Sequence, residues 1–347
     1  MKTEKKQDHI SVSAVVVTWN SKRDIEFCLN SLLTQTVKLK TILIIDNASQ
    51  DGTPDLIRQK FPTVELEERE NNEGFARGNN IGFAKSDTNW ILTLNPDACI
   101  SPDFVSVLLE AAESNPKLGM IGGKLLRVND LDAGSNGTHK SKIIDSTGIE
   151  IFKSRRVRDR GMGEEDHGQY DSDERVFGIC AGAALYKREM LRDVAISGEI
   201  FPERFFAYYE DADLAWRAWR RGWEAWFIPK AVGWHRRGGS STGSRYSREL
   251  THRNRLWMIT RNEPLSQTLS NFPTFILHEI LMFLRMLRFP YLFQASFKAF
   301  SGWAGSVQER MKLMDTSSDS PPFKSGIGFE AGKIKQSVAN SLSKFSG

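Results

Sequence analysis

Up to residue 125, apolar and polar positions switch repeatedly between two periods. Val12 to Val17 is a nearly unbroken apolar run rich in valine, the pattern of a strand buried on both faces. Ser21 then stands as a cap before Ile25, Cys28, Leu29, Leu32 and Leu33, the i, i+3, i+4, i+7, i+8 stripe of a helix. Thr41 to Ile45 repeats the buried-strand pattern, and Thr53 with Pro54 predicts the cap and first residue of a second helix. A short strand over Val64 to Leu66, a helix over Phe75 to Lys85 with small residues facing inward, a strand over Trp90 to Leu94 and a helix over Asp103 to Glu113 complete the series. This alternation predicts an α/β fold with a mostly parallel central sheet and helices on both faces. Ligands of such sheets sit beyond the C-terminal ends of the strands.

Asn129 to Glu174 is polar, glycine-rich and densely charged, which predicts either a mobile flap or a set of short edge strands. Apolar order resumes over Val176 to Tyr186 and Phe201 to Ile228. There Ala212, Ala215, Trp216 and Trp219 form a stripe ending at Gly222, a C-cap glycine. Phe272 to Trp303 is strongly apolar but interrupted by His278, Glu279, Arg285, Arg288, Pro290 and Lys298. It falls short of the roughly 18 uncharged apolar residues of a membrane-spanning helix and is expected to lie on a membrane rather than cross it. The divisions expected are a polar N-terminal tail (1–10), a catalytic domain (11–264), an amphipathic helical appendage (265–314) and a loosely ordered Ser-, Lys- and Gly-rich tail (315–347).

Composition narrows the class. With 347 residues, 40% apolar and 26% charged, the chain can bury a sizeable core. The net charge of +4 comes without a basic block, so no nucleic-acid partner is expected. The three cysteines, Cys28, Cys99 and Cys180, are odd in number and widely spaced, which fits a reducing compartment. Met1 to His9 lacks the apolar core of a secretory signal, so a cytoplasmic location is expected, peripheral on the inner face of the cell membrane.

Four polar clusters fall where strands end. Thr18-Trp19-Asn20 follows the first strand, and Asp46 to Thr53 follows the second. Such groups can bond a nucleobase edge and ribose hydroxyls, or merely form a turn and a helix cap. Neither strand is followed by G-x-G-x-x-G, which counts against a dinucleotide fold. Asn95-Pro96-Asp97 follows the fourth strand, and a carboxylate there suits a hard divalent cation that also holds a diphosphate, or is a turn aspartate. In Tyr209-Glu210-Asp211-Ala212-Asp213 the acids favour the positive end of a helix dipole, the preferred reading for Asp213. Glu210 and Asp211 sit among Phe205, Phe206, Tyr208 and Tyr209, where desolvation would raise a carboxyl's pKa and make a better general base. His235, followed by Arg236, Arg237 and Gly238-Gly239-Ser240, is a candidate for metal or diphosphate contact, or a structural histidine.

The runs Val15 to Asn20, Ile45 to Thr53, Asn71 to Asn80 and Leu94 to Asp97, in this order, resemble a family 2 glycosyltransferase. Phe205 to Leu214, Gly222-Trp223, Ile228-Pro229 and His235 resemble its bacterial rhamnosyltransferase-like branch, and the match covers about residues 12–260. The resemblance implies a GT-A fold, a nucleotide-diphosphate sugar donor and inversion at the anomeric carbon. It places Thr18, Asn20, Asp46, Asn47, Gly74, Arg77 and Asn95 on the donor nucleotide, with Asn95 where many relatives carry the first Asp of a DXD-type motif. Asp97 and His235 would hold Mg2+ or Mn2+, Asp211 would be the base, and Glu210, Gly182 and Trp216 would line the acceptor side. Arg236 or Arg237 would help hold the departing diphosphate. The favoured donor is dTDP-L-rhamnose, with a UDP-hexose as alternative, and the acceptor a glycan or lipid-linked saccharide in cell-surface polysaccharide synthesis. The basic, apolar helix within 272–314 fits peripheral membrane contact, a homodimer interface or docking on the core. Two rivals remain: a nucleotidyltransferase, whose glycine-rich triphosphate loop Thr18 to Asp24 does not supply, and an inactive binding relative, which would be expected to lack Asp97 or Asp211.

Overall fold

The computed structural model describes residues 10–113, 115–129, 141–237, 244–264, 269–313 and 321–325. The expected N-terminal tail apart from Ile10, the glycine-rich run at 238–240 and most of the expected C-terminal tail lie outside them. Strand β1 (Val12–Thr18), buried along its whole length, runs parallel between β2 (Thr41–Asp46) and β4 (Trp90–Leu94), and β3 (Glu65–Glu68) extends the parallel edge. On the other side of β4 lies β11 (Ala183–Lys187), antiparallel both to β4 and to β6 (Leu118–Arg127). Then come β12 (Glu224–His235), parallel to β6, and β10 (Glu174–Val176), antiparallel to β12. β5 (Ala98–Ile100) pairs with β12 and β7 (Ile144–Ser146) with β6, while β8 (Ile149–Ile151) and β9 (Val157–Asp159) form a separate two-stranded sheet. The densely charged stretch thus contains short strands, with 130–140 outside the described residues.

Alternate residues of β1 feed two cores. Ala14 and Val16 join the side chains of α1 (Ile25–Leu33), α2 (Thr53–Lys60) and α4 (Phe104–Ala112). Val15 and Val17 face α3 (Gly74–Lys85), whose Gly82 and Gly78 let it lie directly on the strand. A Cβ at Gly82 would stand 2.3 Å from Val15 Cγ1. The second core continues into α5 (Arg188–Asp193), α6 (Glu210–Arg220) and α7 (Arg245–Asn262). α6 stops as expected: Gly222 has φ +80°, its N–H donates to Trp219 O at 3.0 Å, and Trp223 N donates to Ala218 O at 3.0 Å, the paired bonds of a Schellman end.

Two expected caps differ. Ser21 accepts from the Asp24 and Ile25 N–H groups through its backbone carbonyl, while its side chain stays with Trp19. Thr53 and Pro54 occupy the first two positions of α2, after Gly52 at φ +86°. No pattern foretold β6, because it is buried and carries Gly122-Gly123, where a Cβ at Gly123 would stand 2.0 Å from Ala231 O in the bulge of β12.

Three helices follow: α8 (Phe272–Arg288), α9 (Tyr291–Ser301) and α10 (Trp303–Leu313), with α9 and α10 packed on α7. His278 and Met282 of α8 and Leu292, Ala295 and Ala299 of α9 turn inward. Among the described residues, no helix is long and apolar enough to cross a membrane.

Candidate active site

The first expected cluster is a closed frame at the ends of β1 and β2. Thr18 Oγ1 donates to Asp46 Oδ1 at 2.7 Å; Ser49 donates to Asp46 through its N–H at 2.8 Å and its hydroxyl at 2.6 Å. Asn20, at φ +51°, accepts from Gln50 N at 2.8 Å and donates its own N–H to Ser49 Oγ at 2.8 Å. Buried Asn47 donates to Gly74 O at 3.1 Å and so fixes the start of α3. Gly74 needs its φ of +89°, and a Cβ there would stand 2.5 Å from the Phe206 ring. Arg77 spans Glu73 and Glu203, tying α3 to the 3-10 turn Glu203–Phe205.

At the end of β4, Asn95 N donates to Gly182 O at 2.9 Å, which seats the Cys180–Gly182 turn beside the metal-ligand candidates. His235, last in β12, has Nε2 at 3.1 Å from Asp97 Oδ1 and 3.4 Å from Asn95 Nδ2. Its Nδ1 lies 2.8 Å from Asp145 Oδ2, on β7. Burial disfavours an imidazolium, but the hydrogen bonds and charges of Asp145 and Asp97 outweigh it and push the His235 pKa up to about 9. Burial likewise opposes ionisation of Asp97, yet its bond to His235 holds it below its ordinary value. Among the described residues, no group of three or more His, Cys, Asp or Glu could form a metal cage. One carboxylate and one imidazole nitrogen do converge; a hard cation completed by a diphosphate and water fits there by displacing the Nε2 proton of His235, with Nδ1–H kept on Asp145.

The expected acceptor side centres on the start of α6. Asp211 Oδ1 accepts from Ala212 N at 2.8 Å, and Oδ2 from Ala181 N at 3.3 Å. Burial first, then the charge of Asp159, raises its pKa to about 6. Glu210, fully enclosed, is raised well above the carboxylate range by burial and then by Asp211, and its Oε2 has no partner among the described residues. The Cys180–Gly182 turn therefore links the two halves, bonding Asn95 on one side and Asp211 on the other.

Asp213 lies in the first turn of α6 as expected, and its buried carboxylate also takes Arg217 Nε at 2.9 Å, Arg261 Nε at 2.9 Å and Asn262 Nδ2 at 2.7 Å. Two expectations are corrected. Trp216 has no exposed surface and meets Phe323 edge to face in the core, so it offers no wall to an acceptor. Arg236 forks onto Asp24, and Arg237 bridges Asp145 and Asp159, so neither guanidinium stands uncommitted for a diphosphate. Asp145 and Asp159 themselves escaped the sequence reading, because the polar stretch around them has no period to mark a buried acid.

A mixed α/β sheet with polar clusters at its strand ends, a raised carboxyl at the start of α6 and a carboxylate–imidazole pair at the end of β12 make up the candidate site. The chain belongs to glycosyl transferase family 2, whose family model matches residues 13–195, and has the GT-A fold. It is 27% identical over 240 residues to the N-acetylglucosaminyl-diphospho-decaprenol L-rhamnosyltransferase of Mycobacterium tuberculosis, covering 65% of this chain and 76% of that one. It is 30% identical over 110 residues to an uncharacterized glycosyltransferase of Haemophilus influenzae, covering 32% of this chain and 37% of that one. The solved structure of GalNAc-T7 with UDP, GalNAc and Mn2+ superposes with a TM-score of 0.56 at 14% identity, over 74% of this chain and 48% of that chain, so this chain spans about half its length.

Proposed function

We propose that this glycosyltransferase moves one sugar, with inversion, from a nucleoside-diphosphate donor to a hydroxyl of a glycan or lipid-linked acceptor in cell-surface polysaccharide synthesis. The observation that carries the reading is the raised, half-buried carboxyl of Asp211 at the mouth of the sheet, joined through one turn to the Asp97–His235 pair. Asp211 takes the proton of the acceptor hydroxyl as that oxygen attacks the anomeric carbon, while burial and the charge of Asp211 push Glu210 beside it toward its neutral form. Asp97 and His235 would hold Mg2+ or Mn2+, which when bound supplies positive charge toward the diphosphate. Thr18, Asn20 and Asp46 frame the nucleoside end, Asn47, Gly74 and Arg77 fix the loop behind it, and Asn95 and Gly182 close the sugar end. A single displacement inverts the centre, and among the described residues no separate side chain is placed as a covalent nucleophile. L-Rhamnose from dTDP-L-rhamnose is the favoured donor, supported by the mycobacterial relative's name, with a UDP-hexose as the alternative.

Residues 11–264 form the catalytic unit in this reading, and 265–314 attach it peripherally to a membrane. On α8, Ile276, Leu277, Ile280, Phe283, Leu284 and Leu287 are exposed, and Phe297 and Phe300 of α9 extend the apolar face. Both acids of these helices turn inward, Glu279 to Arg255 and Glu309 to Arg204 and Arg261. Arg285, Arg288 and Lys298 remain exposed, so the face complements an anionic bilayer.

Asp211→Asn tests the chemistry. It keeps the shape but not the basicity, so transfer should fall at least about a hundredfold while nucleoside diphosphate still binds. Transfer at the wild-type rate would remove Asp211 from the mechanism.

A further inference from the structure

Beginning five residues before Asp211, the backbone adopts conformations that L side chains seldom take. Phe206 has φ +67° and ψ −61°, closing a three-residue turn in which Ala207 N donates to Phe205 O at 2.8 Å. Tyr208 and Tyr209 follow at φ +72° and +71°, and α6 begins at the next residue, Glu210. None of the three is glycine, so the surroundings must hold the segment in place. Such a turn also gathers its carbonyl oxygens on one side, where they repel one another unless a donor sits among them.

That donor comes from α7. Asn254 has no exposed surface, and its Nδ2 lies 2.9 Å from Phe205 O, 2.9 Å from Ala207 O and 2.8 Å from Tyr208 O. Its two amide hydrogens are thus shared among three carbonyls, while Oδ1 accepts from Arg253 Nε at 3.0 Å. Arg253 adds bonds to the carbonyls of Arg204 and Phe205. From the opposite side, Phe206 O accepts from Ala76 N at 3.0 Å, and glycine at position 74 leaves room for the Phe206 ring.

We infer that Asn254 is a positioning residue for Asp211: its amide holds the left-handed turn Phe206–Tyr209 in the one shape that aims the Asp211 carboxyl at the Cys180–Gly182 turn. The inference rests on the assignment of Asp211 as the base. Asn254 touches neither the strand-end frame around Asp46 nor the Asp97–His235 pair, so its effect belongs to the proton-transfer side of the site.

The test uses the full chain with Asn254→Leu, which keeps the volume and removes the donor. Transfer kcat should fall at least about tenfold, while the Kd for dTDP or UDP stays within about twofold. Tyr208→Gly, added to Asn254→Leu, should recover most of the loss, because glycine adopts positive φ without help. Asn254→Ser, smaller and able to keep one hydrogen bond, is read in the same way if the leucine variant fails to fold. Undiminished transfer in Asn254→Leu, with Asp211→Asn inactive, would overturn the inference and leave the base standing. Equal loss of nucleotide binding and transfer, with no recovery from Tyr208→Gly, would also overturn it, by showing a packing role alone. Wild-type transfer in Asp211→Asn would instead remove the base assignment, and this inference with it.

Discussion

At the scale of single residues, two acids on one turn of helix are driven in opposite directions by their neighbours. Asp211 is desolvated and faces the charge of Asp159, with only backbone N–H groups in compensation, so its carboxyl rises to about 6. Asp213 is more deeply buried but meets Arg261 and Arg217, whose charges outweigh the burial and lower its pKa. The base must be ionised to accept a proton, so kcat/KM for transfer should hold above about pH 6 and drop below it, by about tenfold per pH unit. A profile flat down to pH 4.5 would contradict the assignment. Asp97 and Asp211 were legible in the sequence because each follows a recognisable strand or aromatic run. The separation of Asp211 from Asp213 was not, since the arginines that decide it lie at positions 217 and 261 and only folding brings Arg261 close.

At the scale of elements, the ends of β1, β2 and β4 and the start of α6 set the site, and α7 braces them. Local pattern alone found β1, β2, β4 and the glycine end of α6, since each is marked by an apolar run or a glycine within a few residues of sequence. The antiparallel insertion of β11 between β4 and β6 was not legible, because pairing partners far apart in sequence leave no local period. Asp145 shows the same limit: it reaches His235 only because β7 pairs with β6 and β6 with β12. The α6–α7 brace rests on Asp213, which joins Arg217 of α6 to Arg261 and Asn262 of α7 without exposure to solvent. Asp213→Ala would take the carboxylate from buried Arg217 and leave Arg261 to Glu309 alone, so chemical denaturation should show a loss of about 3–5 kcal/mol. A loss below about 1 kcal/mol would mean that the arginines find other partners.

At the scale of the whole molecule, one side carries the sheet mouth and its acids, and the C-terminal helices add an apolar face with basic exposed charges. The sequence foretold the apolar and basic character of that segment, but only the packing on α7 shows which residues turn outward. Leu284→Asp with Phe297→Asp changes side chains that are 54% and 74% exposed, so the fold should persist while sedimentation with anionic vesicles falls at least about tenfold. If the wild type ignores such vesicles at low salt and the double variant turns a dimer into a monomer, a second copy covers the face instead. The central claim is the use of a nucleoside-diphosphate sugar at a metal held by Asp97 and His235. Its most direct test is release of nucleoside diphosphate by the purified full chain from a panel including dTDP-L-rhamnose and UDP-hexoses, with Mg2+ or Mn2+. Slow release from one donor, abolished by chelator and by Asp97→Ala, is the predicted result; no release from any donor, or release indifferent to both treatments, would contradict it.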